Sequence, residues 1–199
     1  MNGEPTRSTT EPPQHDDLAS RVAKLEAIEA IRELKAHYTA LADAKYTSDG
    51  YGRVDERTMS AVASQQAQCF TEDAVWHGGE GFGDKRIGRE ALRQWFMRSP
   101  WRFAIHFYNG ESIVVDGDSA RANWRLWQLA LRDDDTSAVF LAGVTDEAYR
   151  READGIWRIC EMRFAELQMM QASDLSLPLS PTFAGLDALR AGPGCPERK

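Results

Sequence analysis

The chain has 199 residues, 42% of them hydrophobic, and 31 acidic against 24 basic side chains give a formal charge of -7. A prior of roughly 100 to 200 residues per domain favours one main domain. No apolar run approaches the roughly 20 residues of a membrane-spanning helix, and the acidic balance argues against a surface that tracks nucleic-acid phosphates.

Residues 1–17 hold four acids, one base and three of the eight prolines, with hardly an apolar side chain. Such a segment cannot build a core, and a disordered N-terminal arm is expected there. From Leu18 the apolar positions Val22, Leu25, Ile28, Ile31, Leu34, Tyr38 and Leu41 recur at spacings of three and four, which only a helix places on one face. Asp16 and Asp17 supply capping chemistry at its start. A polar, glycine-bearing stretch follows at 46–57. ERTMSAVASQQAQCF reads as a second helix running into a short strand, Asp73 to His77. The glycine-rich turn GGEGFGDKRIG then leads into a third helix, REALRQWFMR.

After Pro100 the texture changes to strands separated by turn signals. WRFAIHFY ends at Asn109 and Gly110; SIVV and ARANWRLWQLAL flank Asp116-Gly117-Asp118; AVFLAGVTDEAYRR closes at Ala153-Asp154-Gly155; IWRICEMRFAELQMM is last. Helices followed by a meander of long strands define an α+β class in which helices cover one face of a curved sheet. The folded unit is expected over 18–171, with 172–199 as an extended tail. Trp124, Leu126, Trp127 and Leu129 put apolar groups on both faces of one strand, so the outer face is expected to pack against a partner subunit in a homodimer or homotrimer.

Three cysteines (Cys69, Cys160, Cys195) form no CxxC spacing, and no signal-peptide pattern opens the chain, so the expected location is the reducing cytoplasm. Cys69 and Cys160 read as small core residues. None of the four histidines falls in an HxH or HExxH spacing, and no metal site is expected. In the glycine turn Asp84 stands where a phosphate loop needs lysine, and there is neither G-x-G-x-x-G nor G-x-S-x-G. What remains is acid-base chemistry by side chains in a pocket, without a cofactor, or no chemistry.

Four residues are candidates for that chemistry. Tyr38 lies on the apolar stripe, where alone it reads as an ordinary core tyrosine. Asp43 follows about 140° further around the helix axis, so both share a cavity only if the helix ends or bends between them. His106 is in phase with Ala104 and Tyr108 within a strand, and a carboxylate partner would make it a general base near neutral pH. Arg163 in the last strand reads either as an ion-pair member or as a cation for developing negative charge. His77 reads as surface or pocket rim. Trp76, Trp101, Trp127 and Leu129 are the expected pocket lining.

The passages LEAIEAIRELKAHYTALAD, FTEDAVW, GGEGFG, IGREALRQWF, HFYNGESIVVDGDSARANW, VFLAG and DGIWRICEMRF, in this order, resemble the SnoaL-like branch of the nuclear transport factor 2-like superfamily over about residues 22–164. That branch includes scytalone dehydratase, bile acid dehydratase, a dehydrochlorinase and polyketide cyclases. The resemblance implies a cone-shaped α+β barrel, with N-terminal helices packed in a strongly curved antiparallel sheet around an apolar pocket. It implies Asp43 and His106 as the base pair and Tyr38 as a hydrogen-bond donor, with Arg163 a looser match to an arginine near the leaving group. Against similar sequences the segment between Asp43 and FTEDAVW is longer, an insertion near 46–57 placed to act as a lid or to change the pocket mouth. Val144 and Thr145 stand where those sequences often carry arginine and tyrosine. The function implied is a cofactor-independent lyase acting on a hydrophobic, steroid- or polyketide-like alcohol. The alternatives are an isomerase or cyclase on the same scaffold, or a non-catalytic ligand-binding or structural module.

Overall fold

A computed structural model describes residues 18–133 and 137–173. The expected arm at 1–17, the capping pair Asp16 and Asp17, Cys195 and the tail from 174 onward lie outside them. Helix α1 spans Leu18–Asp43. Its buried positions Ala27, Ile31, Tyr38 and Leu41 share the face that the apolar spacing predicts, and Lys35 is buried with them. Leu18, Val22 and Leu25 remain exposed, so the stripe is longer than the surface it packs against.

The 46–57 insertion is a small hairpin, β1 (Tyr46–Thr47) against β2 (Gly52–Arg53). It runs into α2 (Glu56–Gln68), whose N-cap Asp55 accepts from the Thr58 backbone N–H at 2.9 Å, filling one of the donors a helix start leaves unpaired. β3 (Phe70–His77) begins three residues earlier than expected, and α3 (Gly79–Phe82), β4 (Arg86–Ile87) and α4 (Arg89–Phe96) follow. The glycine turn is tight for a steric reason: a Cβ at Gly78 would lie 2.7 Å from the Gly83 carbonyl oxygen.

Four long strands complete the chain: β5 (Phe103–Asp116), β6 (Ser119–Leu131), β7 (Ser137–Arg151) and β8 (Trp157–Ser173). β8 carries the sheet two residues into the segment expected as tail. The six-stranded order is β4-β3-β8-β7-β6-β5, a sheet that curls over the helices and stays open. All pairings are antiparallel except β3 with β8, which is parallel and departs from the all-antiparallel expectation. The expected break at Asn109-Gly110 is instead a bulge within continuous β5, with Gly110 at φ 60° and the register shifting before Ser112.

Along β6, Ala122, Trp124, Leu126, Gln128 and Ala130 face the helices, and Arg121, Asn123, Arg125 and Trp127 face outward. A second irregularity lies between β7 and β8, where Tyr149 pairs with Ile159 but Ala148 pairs with Glu161. The extra residue reverses the phase of β8 downstream, so that Met162 and Phe164, rather than Arg163, share the inward face with Ile159. Cys69 is buried and Cys160 half-buried.

Candidate active site

Asp43 is the last residue of α1, and this termination lets it serve a site shared with Tyr38 despite their angular separation on a continuing helix. Its Oδ1 accepts two hydrogen bonds from His106 on β5: from the backbone N–H at 3.0 Å and from the ring at Nδ1, 2.7 Å away. The carboxylate therefore fixes both the strand position and the ring orientation. With the Nδ1 proton committed to Asp43, Nε2 keeps its lone pair, the tautomer a general base requires. Burial pushes the imidazole pKa below its usual 6.5, and the hydrogen bond that the ring donates to Asp43 pulls it partly back. At neutral pH the ring is uncharged and able to accept a proton.

The imidazole lines a cavity of about 70 Å³ that opens to solvent. Tyr38 and Tyr108 flank it, their rings edge-to-face at 6.2 Å between centroids. Burial raises the pKa of both phenols, so each remains a neutral hydroxyl. The far wall is aromatic: Trp76 packs against Trp95 at 5.6 Å and against Phe164 at 5.7 Å. At the mouth the β1–β2 hairpin contributes Tyr46, whose hydroxyl meets Ser99 Oγ at 2.5 Å. Arg53 ties the same hairpin to Asp133 by two 3.0 Å bonds. The insertion is thus part of the pocket wall.

Of the residues expected from sequence, Tyr38, His106, Trp76 and Trp101 line the cavity, and Asp43 stands behind His106. Arg163, Trp127 and Leu129 do not join them. Arg163 projects from the outer face, its side chain 55% exposed and 3.4 Å from Glu161, because the β8 bulge reverses its phase. Trp127 and Leu129 pair across the strands with Phe107 and Ile105, the face opposite His106, and Trp127 is 56% exposed. His77 sits at the end of β3, 3.3 Å from Glu161, and is not among the residues that line the cavity.

Sequence reasoning passed over Lys45, Gln66 and Gln128, all buried in the cavity wall. Gln128 is the cross-strand partner of His106, a relation that appears only once the β5–β6 register is known. Lys45 lies two residues beyond Asp43, and that spacing from the end of the helix was the available signal. Among the described residues, no group of three or more His, Cys, Asp or Glu side chains is arranged to hold a metal ion.

Helices packed against a curled open sheet, with an Asp-supported histidine facing an aromatic cavity, define an α+β fold with a pocket between its layers. Residues 23–163 match the SnoaL-like domain family, and the chain belongs to that family. A comparison with curated proteins gives no match. Among solved structures it resembles a proposed scytalone dehydratase from Novosphingobium aromaticivorans, at 16% identity and TM-score 0.57 over 79% of this chain and 93% of that one. It also resembles a hexachlorocyclohexane dehydrochlorinase from Novosphingobium barchaimii, at 17% identity and TM-score 0.58 over 79% and 97%. A third is a proposed aromatic ring hydroxylase from N. aromaticivorans, at 20% identity and TM-score 0.58 over 74% and 94%. At these identities the likeness is one of fold.

Proposed function

We propose that the protein is a cofactor-independent lyase of the dehydratase type, acting on a hydrophobic polycyclic alcohol whose hydroxyl lies β to a carbonyl. The observation that carries this reading is the 2.7 Å bond between Asp43 and His106 Nδ1, made by a ring that lines an aromatic cavity. The similarity to structures described as a dehydratase and a dehydrochlorinase supports the same reaction class.

In the proposed reaction His106 Nε2 takes the proton from the carbon next to the carbonyl, and the electron pair of that C–H bond enters the enolate. The enolate collapses to a C=C bond as the C–O bond to the hydroxyl breaks. The departing hydroxide takes the proton from the imidazolium and leaves as water, which restores the neutral base. Asp43 holds the imidazolium while it exists, and the Tyr38 hydroxyl donates to an oxygen on which charge builds. General-base catalysis of this kind supplies roughly 10² to 10⁴ in rate, and positioning supplies more.

The test is mass spectrometry on polycyclic β-hydroxy ketones incubated with enzyme. The expected result is the loss of one water, about 18 Da, with the native chain and none with His106→Ala. Equal conversion by both would overturn the proposal, and an unchanged mass with a shifted spectrum would indicate isomerisation. Phe107, Trp127, Phe140 and Met170 leave an apolar stretch exposed on the outer sheet face, which supports the expected homodimer or homotrimer. Light scattering that shows a monomer would contradict that assembly.

A further inference from the structure

The cavity has a charge balance opposite to that of the chain. The protein carries -7 overall, yet among the described residues lining the cavity there is no aspartate or glutamate, and there are two cations, Lys45 and Arg98. Arg98 is exposed near the mouth; Lys45 is only 8% exposed. Its ammonium lies 5.5 Å from the centroid of the Phe96 ring and has no ion pair or hydrogen bond to any described side chain. Asp43, two residues away, is committed to His106.

Two further donors in the same wall are unmatched. Trp76 Nε1 and Gln128 Nε2 are buried without a hydrogen-bond partner, on residues that are each 3% exposed. One acceptor, Gln66 Oε1, is in the same condition. An ammonium and an indole N–H can only donate. Buried donors left unsatisfied cost stability, and a surplus of them around a cavity marks the place of a ligand rich in acceptor oxygens.

Resting on the lyase reading and naming its substrate class, we propose that the cavity selects polycyclic or aromatic molecules bearing an anionic oxygen, a carboxylate in the ground state, with Lys45 as its anchor. Gln128, cross-strand from His106, and Trp76 supply neutral donors to the same molecule's other oxygens. Burial pushes the Lys45 pKa down to about 8 against the pull of the nearby Asp43 carboxylate, which leaves the ammonium the main form at neutral pH. A charge-assisted bond in this desolvated wall is stronger than its counterpart in water. An anionic ligand would supply the counter-charge that no acidic residue of the wall provides.

The probes are 2-naphthoate and its neutral near-isostere 2-naphthamide, titrated calorimetrically at pH 7. The native chain should bind the naphthoate about tenfold or more tighter, the effect of one charge-assisted contact. Lys45→Met should erase that preference and Lys45→Arg should restore part of it, with circular dichroism verifying that each variant is folded. Equal affinities in the native chain, a comparison independent of any variant, overturn the proposal. So does a preference that survives in folded Lys45→Met.

His106→Ala should keep the naphthoate preference, which separates the two readings. Charge-selective binding without elimination from any hydroxy ketone supports the anion site and removes the lyase. Charge-blind binding with His106-dependent turnover does the reverse.

Discussion

Two lysines, one within α1 and one just beyond its C-terminus, are both buried, and they meet opposite fates. Lys35, in the middle of α1, bonds to Glu147 Oε1 at 2.5 Å and sits 3.6 Å over the Tyr108 ring. Glu147 is in turn held by Thr145 at 2.7 Å and by Tyr149, whose hydroxyl accepts from Trp124 Nε1 at 3.0 Å. Burial lowers the Lys35 pKa and Glu147 opposes the shift. Ten residues on, Lys45 is desolvated with no such partner and faces open space. A buried charge inside a completed network belongs to the architecture, whereas one facing a cavity without a counter-charge carries a cost that binding can remove.

The largest stability effect should come from breaking the completed network. Glu147→Ala strands Lys35 and should cost about 3–5 kcal/mol in denaturant unfolding. Lys35→Met combined with Glu147→Leu should recover much of that, because neither charge is then left alone. A Glu147→Ala variant as stable as the native chain would place the Lys35 charge in water and dissolve the contrast.

Lys45→Met should act in the opposite direction and raise stability at pH 7. The gap between about 8 in the fold and the 10.5 usual for lysine is worth roughly 3 kcal/mol. The sign follows from linkage. Below about pH 8 both states hold the proton and the fold bears the whole penalty. Between about 8 and 10.5 the unfolded chain binds a proton that the folded chain does not, so native stability rises with pH. Above that range the penalty is gone. Chemical denaturation across this pH range should show a rise in the native chain that Lys45→Met lacks, and parallel profiles would refute the assignment.

The pH profile of turnover should be governed by His106, which must be neutral to act. Its lowered pKa places the acid limb of kcat/KM below 6.5, with activity falling as pH drops through it. An acid limb above 6.5 would mean that Asp43 outweighs burial. The smallest effect belongs to Arg163→Ala, which should leave turnover within about twofold, as expected of a surface change. A loss of a hundredfold would restore Arg163 to the chemistry.

The helix α1, the strand sequence and the Asp43 and His106 pair were legible because each depends on local spacing or on motif order. Tyr38 was legible for the same reason. Trp127 and Leu129 were misplaced because β6 carries apolar residues on both faces, and only pairing with Phe107 and Ile105 reveals which face is outward. Arg163 was misplaced by one inserted residue in β8, which no period-two reading detects. Lys45 went unread because a lysine in a polar stretch looks like a solvated one. Its burial arises from the β1–β2 hairpin and α4, elements distant in pattern from the helix that precedes it.

The most direct test of the His106 base is proton abstraction itself, followed as deuterium uptake into the carbon acid 2-tetralone in D2O. The native chain should accelerate exchange next to the carbonyl by about 10² to 10⁴ over buffer, while His106→Ala falls to the buffer rate and Asp43→Asn lies far below the native chain. Exchange that is equally fast in His106→Ala would contradict the account.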